Sequence, residues 1–389
     1  MSAPPALQGV TVLDFSTVGP AARCARILAD YGARVVKIGA PPRRASVQIE
    51  PAWWSYAASR GMSRARIDLK AAAGRDAFLR MAAAADVVIE SFRPGVADRL
   101  GIGYADVRKA NEGIVYCSTS GYGQRGPASQ WAGHDLNYLA LGGYLDLSGR
   151  RADGGPALPG ATVADAAAGG MQAAIAILAA LFRRAATGQG EHLDVSAADG
   201  VLHLMALAID QHLATGEAPG PGRDLLSGRY ACYELYAARD GKWLAVGAIE
   251  PAFWANLCRA LDLERWIAHQ LDDARQAEIR ADLRAAFATR DRDAWVAALA
   301  PADTCVAPVL SVAEVVREPH FRARGAFCEA EHPARGRFAQ LGPVLAGSSP
   351  LRAPVRVPDA EHTDTDALLR KAGLDAGEVE ALRGAGVVA

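Results

Sequence analysis

Three ionisable residues sit where their types could do acid–base or covalent chemistry. His134 lies in "AGHDLNYLALGG", Asp165 in "TVADAAAGG" and Glu250 in "VGAIEPAFW". Each stands at an expected helix start, at the mouth of an apolar segment. An imidazole titrates near neutrality, and a carboxylate beside an apolar segment can serve as a base or a nucleophile. Taken singly, each also has an ordinary structural role. An Asp at a helix start caps free backbone N–H groups, and a Glu before a proline is a first-turn acid favoured by the helix dipole. His134 alone would pass for a plain helix-start residue. The glycines after Asp165, Gly169 and Gly170, would let a bulky ligand approach the backbone. Backbone N–H groups near Asp165 would be the place to stabilise an oxyanion.

The elements that must position these groups alternate in type. "VTVLDF" (Val10 to Phe15), "RVVKI" (Arg34 to Ile38), "ADVVIESF" (Ala85 to Phe92) and "GIVYCSTS" (Gly113 to Ser120) read as buried strands. Helical stretches lie between them: "GPAARCARILADYG", opened by Gly-Pro and closed at Gly32, and Ala71 to Ala84. Such alternation predicts an α/β fold with a parallel sheet, whose ligands sit beyond the carboxyl ends of the strands. No G-x-G-x-x-G follows the first strand and no Walker-type loop occurs, which argues against dinucleotide and nucleoside-triphosphate binding. Ala164 to Phe182 is long and apolar but mostly alanine, so a buried core helix is expected rather than a membrane span. Another helix is expected over Ala197 to Thr215. A Pro/Gly-rich linker, Gly216 to Gly228, then leads to an aromatic hairpin around Arg239-Asp240-Gly241, helices to about Ala300 and a strand at "CVAPVL". This second part reads as a smaller α+β domain, and the tail ends in two short helices.

Composition narrows the function further. The 389 residues contain 42 Lys plus Arg against 43 Asp plus Glu, which leaves no footprint for nucleic acid or an anionic membrane. Six scattered cysteines form no C-x-x-C pair, so neither a metal site nor a dithiol centre is expected. Lone thiols fit a reducing cytoplasm, and "MSAPPALQGV" lacks the pattern of a signal peptide.

Read together, the motifs resemble the CaiB/BaiF family, the class III CoA-transferases. "LQGVTVLDFSTVGPAARCARILADYGARVVKI" resembles the family's opening. "RIDLK", "VVIESFRPGVADRLGIG" and "VYCSTSGYGQRGP" resemble its CoA-binding half. "AGHDLNYLAL", "TVADAAAGG" and "ATGQGEHLDVSAADG" resemble its central segment. "DGKWLAVGAIEPAFW" and "DTCVAPVLSVAEVVREPHFRARGAF" resemble its second domain and return segment. The combination of His134, Asp165 and Glu250 is closest to the α-methylacyl-CoA racemase branch. There the histidine and the aspartate form a pair of bases and the glutamate supports the site. In the transferase branch the aspartate is a nucleophile that carries CoA as a thioester.

The resemblance implies racemisation of 2-methylacyl-CoA by 1,1-proton transfer, with CoA-moiety transfer through Asp165 as the alternative. Coenzyme A enters as part of the substrate, with no prosthetic group. Its contacts would come from Lys70, Arg93, Arg99, Asp135 and Tyr138. The implied assembly is an interlocked homodimer, each chain having a Rossmann-like large domain (residues 1–215, completed by the return segment 304–389), a linker (216–228) and a small domain (229–303). Glu250 would reach its site from the partner. The sequence departs from the family after "VVKI", where Gly39-Ala40 replace an acidic residue and an arginine, with Arg43 and Arg44 just beyond. After Asp165 it reads "AAAGG" where racemases often carry "FGGG", and "LSGRYACYELY" differs from the racemase run that shapes the acyl pocket.

Overall fold

A computed structural model describes residues 4–41, 59–343, 354–359 and 361–389. Arg43 and Arg44 therefore lie outside the described residues. The chain forms two compact units. The first comprises Met1–Gly143, Pro159–Ala206 and Pro319–Ala389, and the second comprises Tyr144–Leu158 and Leu207–Glu318.

The first unit is built on six parallel strands: β1 (Thr11–Asp14), β2 (Arg34–Gly39), β3 (Ser63–Arg66), β4 (Val87–Glu90), β5 (Val115–Ser120) and β6 (Glu191–Ser196). Their order is β3-β2-β1-β4-β5-β6, the doubly wound order that opens a crevice where the winding reverses between β1 and β4. Four of the strands were legible because a parallel sheet covered on both faces needs near-continuous apolar runs; all four residues of β4 are buried. β3, "SRAR", and β6, "EHLDVS", form the two polar edges.

Helix α1 (Gly19–Asp30) covers one face of the sheet and α2 (Ala72–Ala83) the other. The chain's end returns to the α2 side: Leu368, Leu369, Val379, Val387 and Val388 share a core cluster with Val36, Val88 and Phe78. Ile67 bridges Val388, which ties the C-terminus beside β3. Arg60, 2% exposed, donates to Asp30 Oδ1 (2.6 Å) and to the Leu341 carbonyl (2.6 Å). It thereby fastens a second, three-stranded sheet (Phe327–His332, Gly336–Leu341 and Val355–Arg356) to the end of α1.

The alanine-rich segment is two helices in series. Ala164–Met171 is π-helical and Gln172–Thr187 is α-helical. By length and composition Ala164–Thr187 could cross a membrane, but one side of it, with Ala173, Ala174, Ile177 and Ala180, is packed in the core with Val12, Val87 and Val115. The opposite side leaves Ile175 and Phe182 exposed. The segment expected as one helix from Ala197 to Thr215 breaks at Met205 into Ala197–Leu204 and Ala206–Thr215.

The second unit holds an antiparallel sheet of β7 (Tyr233–Ala237), β8 (Trp243–Gly247) and β9 (Val306–Pro308), with β8 in the middle. Tyr236, Trp254, Phe287 and Trp295 form its core with Leu244 and Val246. Arg292 is 2% exposed and donates to Glu314 Oε1 (2.7 Å) and to the Val309 carbonyl (2.9 Å), which closes this unit's edge.

Candidate active site

His134 is the cap residue of a short helix, α3 (Asp135–Leu141), with extended backbone (φ −130°, ψ 178°). Its N–H donates to Asn137 Oδ1 at 3.0 Å, which folds the entry loop onto the first turn. Tyr138 pins the same loop from below. Its hydroxyl donates to the Gly133 carbonyl at 2.6 Å, and its ring meets Tyr122 edge-on at 5.1 Å. The His134 side chain is left exposed above this frame.

Asp165 begins the π-helical turn. Its backbone N–H donates to Asp135 Oδ1 at 2.8 Å. The residue beside His134 thus caps the helix that carries Asp165, and two segments separated in sequence meet at their N-terminal ends. Among the described residues the Asp165 carboxylate accepts no hydrogen bond. It is half-buried, and its pKa is raised by burial first and by the Asp135 carboxylate second, while Arg23 and His134 pull it down. Those same charges put His134, Asp135 and Arg23 in one electrostatic neighbourhood with Asp165. Burial, Asp165, Tyr122 and Asp135 together push the Tyr138 phenol up to about 12, in that order of weight.

Two expectations are corrected here. The N–H groups of Asp165 and Ala166 are not open to an oxyanion: that of Asp165 is spent on Asp135 and that of Ala166 on the Thr162 carbonyl (3.0 Å). Gly169 and Gly170 do not clear room for a ligand either. A Cβ on Gly169 would stand 2.6 Å from Pro20 Cβ, and one on Gly170 2.6 Å from Arg23 Cβ. The pair is bare because α1 packs directly on the widened turn. A π-turn is uncommon and recurs at functional sites; here close packing keeps it in place.

The residues expected to hold CoA divide into two groups. Asp135 and Tyr138 are engaged in the frame just described. Lys70 follows β3, and Arg93 follows β4, both beyond the carboxyl ends of their strands, with Arg99 on the next short helix, Val96–Arg99. All three side chains are exposed, and among the described residues none is ion-paired. At the neighbouring strand ends Lys37 donates to Asp14 Oδ2 and to the Ser16 carbonyl (3.0 Å), so that cation is already neutralised. Glu250 belongs to the second unit, where it precedes the helix Pro251–Ala260 with no side-chain cap bond among the described residues, and its charge raises the Cys305 thiol pKa after burial. Arg23 was missed: in "GPAARC" nothing but the fold reveals that it neighbours Asp165.

Comparison with known proteins adds the chemical context. The family model described as CoA-transferase family III matches residues 7–363. Human α-methylacyl-CoA racemase is 36% identical over 84% of this chain and 83% of its own length. The acetyl-CoA:oxalate CoA-transferase of Acetobacter aceti is 30% identical over 81% of this chain and 84% of its own. A CaiB/BaiF family protein from Brucella suis has a crystal structure that superposes with a TM-score of 0.75 at 28% identity, covering 95% of this chain and 99% of that one.

Proposed function

Because the chain belongs to CoA-transferase family III, whose members include racemases and CoA-transferases, we propose that it racemises 2-methylacyl-CoA thioesters by 1,1-proton transfer between His134 and Asp165. The observation that carries this reading is the Asp135–Asp165 hydrogen bond, which joins the segment of the imidazole to that of the carboxylate. A carbon acid beside a thioester needs one base to remove the α-proton and a conjugate acid on the opposite face to return one. The Asp165 carboxylate accepts no hydrogen bond among the described residues, and its raised pKa suits a group that must both give and take a proton. In one direction Asp165 removes the proton and protonated His134 supplies the new one; in the other the roles exchange. The charge that develops meanwhile resides on the thioester oxygen.

Lys70, Arg93 and Arg99 would bind the phosphates of CoA, for which exposed cations without an ion pair among the described residues are suited. Asp135 and Tyr138 would line the pantetheine path while holding the frame. Glu250 would support the His134 base. A homodimer would cover the apolar surface left on three mutually packed helical segments: Leu136 and Leu141 on α3, Met171 and Ile175 on the alanine-rich helix, and Leu202 and Leu204 beyond β6, all 42–60% exposed. We place the chain in the cytoplasm, where its six free cysteines would stay reduced.

A second reading is favoured by one feature: among the described residues no hydrogen bond reaches the Asp165 carboxylate. A bare carboxylate also serves as a nucleophile, and the Acetobacter aceti relative is a transferase. The two readings separate cleanly. Incubating one enantiomer of a 2-methylacyl-CoA in D₂O without an acceptor acid exchanges the α-proton under the first. Under the second, CoA moves to an added carboxylic acid and an Asp165 thioester is trapped, with no exchange in the acceptor's absence.

A further inference from the structure

We propose that Arg23 is a specificity-determining residue that grips a carboxylate on the acyl chain, so that the preferred thioesters carry a second, free carboxylate. The inference rests on the acyl-CoA reading and adds a substrate class to it.

Arg23 lies on the first turns of α1, and the bare backbone of Gly170 presses against its Cβ, one π-turn beyond Asp165. Its side chain is exposed, and among the described residues it makes no hydrogen bond or ion pair. Among the described residues, its charge and that of His134 lower the Asp165 pKa against burial and Asp135. Solvated surface arginines are common, but this one neighbours the group that would act on the reacting carbon.

Position decides what such a cation meets. In a CoA thioester the sulfur leads away through a neutral pantetheine arm, and the phosphates lie at the far end of it. A cation rooted one π-turn from Asp165, with its charge reaching the base that attends the α-carbon, is therefore set toward the acyl portion rather than the phosphates. A hydrocarbon chain there would strip water from the guanidinium and give nothing back, an unfavourable burial. A carboxylate would fit its planar fork and neutralise it.

The test compares two thioesters matched in length, 2-methylhexanoyl-CoA and 2-methyladipoyl-CoA, with α-proton exchange in D₂O as the readout. For transfer, hexanoate and adipate serve as acceptors. The quantity measured is the ratio of kcat/KM for the carboxylate-bearing compound to that for its methyl-ended partner. Any general effect of Arg23 on Asp165 cancels in this ratio. The wild type is expected to favour the carboxylate. Arg23→Leu should lower the ratio about 10- to 100-fold, the range for losing a charged hydrogen-bond partner, and Arg23→Lys should recover part of it. A wild-type ratio near or below one, or a ratio that Arg23→Leu leaves unchanged, overturns the inference while leaving the family chemistry intact. If the wild type neither exchanges nor transfers with any thioester, the acyl-CoA reading fails and the inference falls with it.

Discussion

Asp135 Oδ1 accepts the backbone N–H of Asp165 at 2.8 Å, and this one bond joins the two segments from which the proposed bases come. It also places a second carboxylate beside Asp165, which is one reason the Asp165 pKa is raised. The cap and the charge can be separated. Asp135→Ala removes both and should cost about 0.5–2 kcal/mol of stability, the usual worth of a helix cap. Asp135→Asn keeps an acceptor for the N–H and removes the charge, so it should retain most of that stability. Asp165 would then ionise at lower pH, and the acidic limb of the exchange-rate profile should move to lower pH. A profile that stays put in Asp135→Asn would mean that Asp165 does not set that limb.

His134→Ala and Asp165→Asn are each expected to reduce α-proton exchange about 10²–10⁴-fold, the contribution of one positioned acid or base. Binding of CoA itself, measured by titration calorimetry, should persist in both, since neither residue is assigned to the phosphates. Lys70→Ala and Arg93→Ala should do the reverse, weakening CoA binding with a smaller effect on the rate at saturation. If His134→Ala exchanges as fast as the wild type while CoA transfer proceeds, the proton-transfer mechanism is wrong and the nucleophile mechanism takes its place.

The widened turn under Asp165 depends on contacts that tolerate no extra atom. A Cβ on Gly200 would lie 2.0 Å from the Ala168 carbonyl oxygen and 2.5 Å from its carbon, both backbone atoms of that turn. Backbone cannot rotate away as a side chain can. Gly200→Ala should therefore reach or exceed the upper end of the usual overpacking cost, about 3 kcal/mol, and should lower the exchange rate by displacing Asp165. Equilibrium denaturation with urea reads the first effect, and D₂O exchange on the folded fraction the second. A variant as stable and as active as wild type would show that the helix Ala197–Leu204 does not hold the turn in place.

How much of this was legible in the sequence depends on how local the cause is. β1, β2, β4 and β5 could be read because burial on both faces demands apolar runs. β3 and β6 could not, because edge strands are free to carry Arg64, Arg66, Glu191 and Asp194. The expectation that His134 and Asp165 act as a pair comes only from the resemblance, since each alone passes for a capping residue. The resemblance gives Asp135 as a CoA contact; that it also accepts a backbone N–H thirty positions away has no local signal. The π-turn and Arg23 were hidden for one reason: both follow from α1 packing on Gly169 and Gly170, a contact with no local signature. The same contact reversed the meaning of those glycines, from room for a ligand to room for a helix.

Glu90 supplies the last prediction, and it tests the first unit's core rather than its chemistry. It ends β4, is 3% exposed and accepts the Phe92 N–H at 2.7 Å. Burial raises its pKa to about 7, with Asp98 and Asp194 adding smaller upward pushes against the hydrogen bonds from Ser118 and Phe92. Between the ordinary glutamate value of about 4.3 and this raised one, the folded protein holds a proton that the unfolded chain releases. The unfolded state then binds fewer protons, so stability falls as pH rises. The contribution is fully present below the unfolded value and is lost as pH climbs through about 7. At roughly 1.4 kcal/mol per unit the loss approaches 4 kcal/mol. Glu90→Gln keeps an acceptor for Phe92 and carries no charge. It should be more stable than wild type by about 1–3 kcal/mol at pH 8, with the advantage shrinking toward pH 5. Urea midpoints of the two proteins across that range measure the difference, and a gap that does not change with pH would mean that Glu90 ionises like an exposed carboxylate.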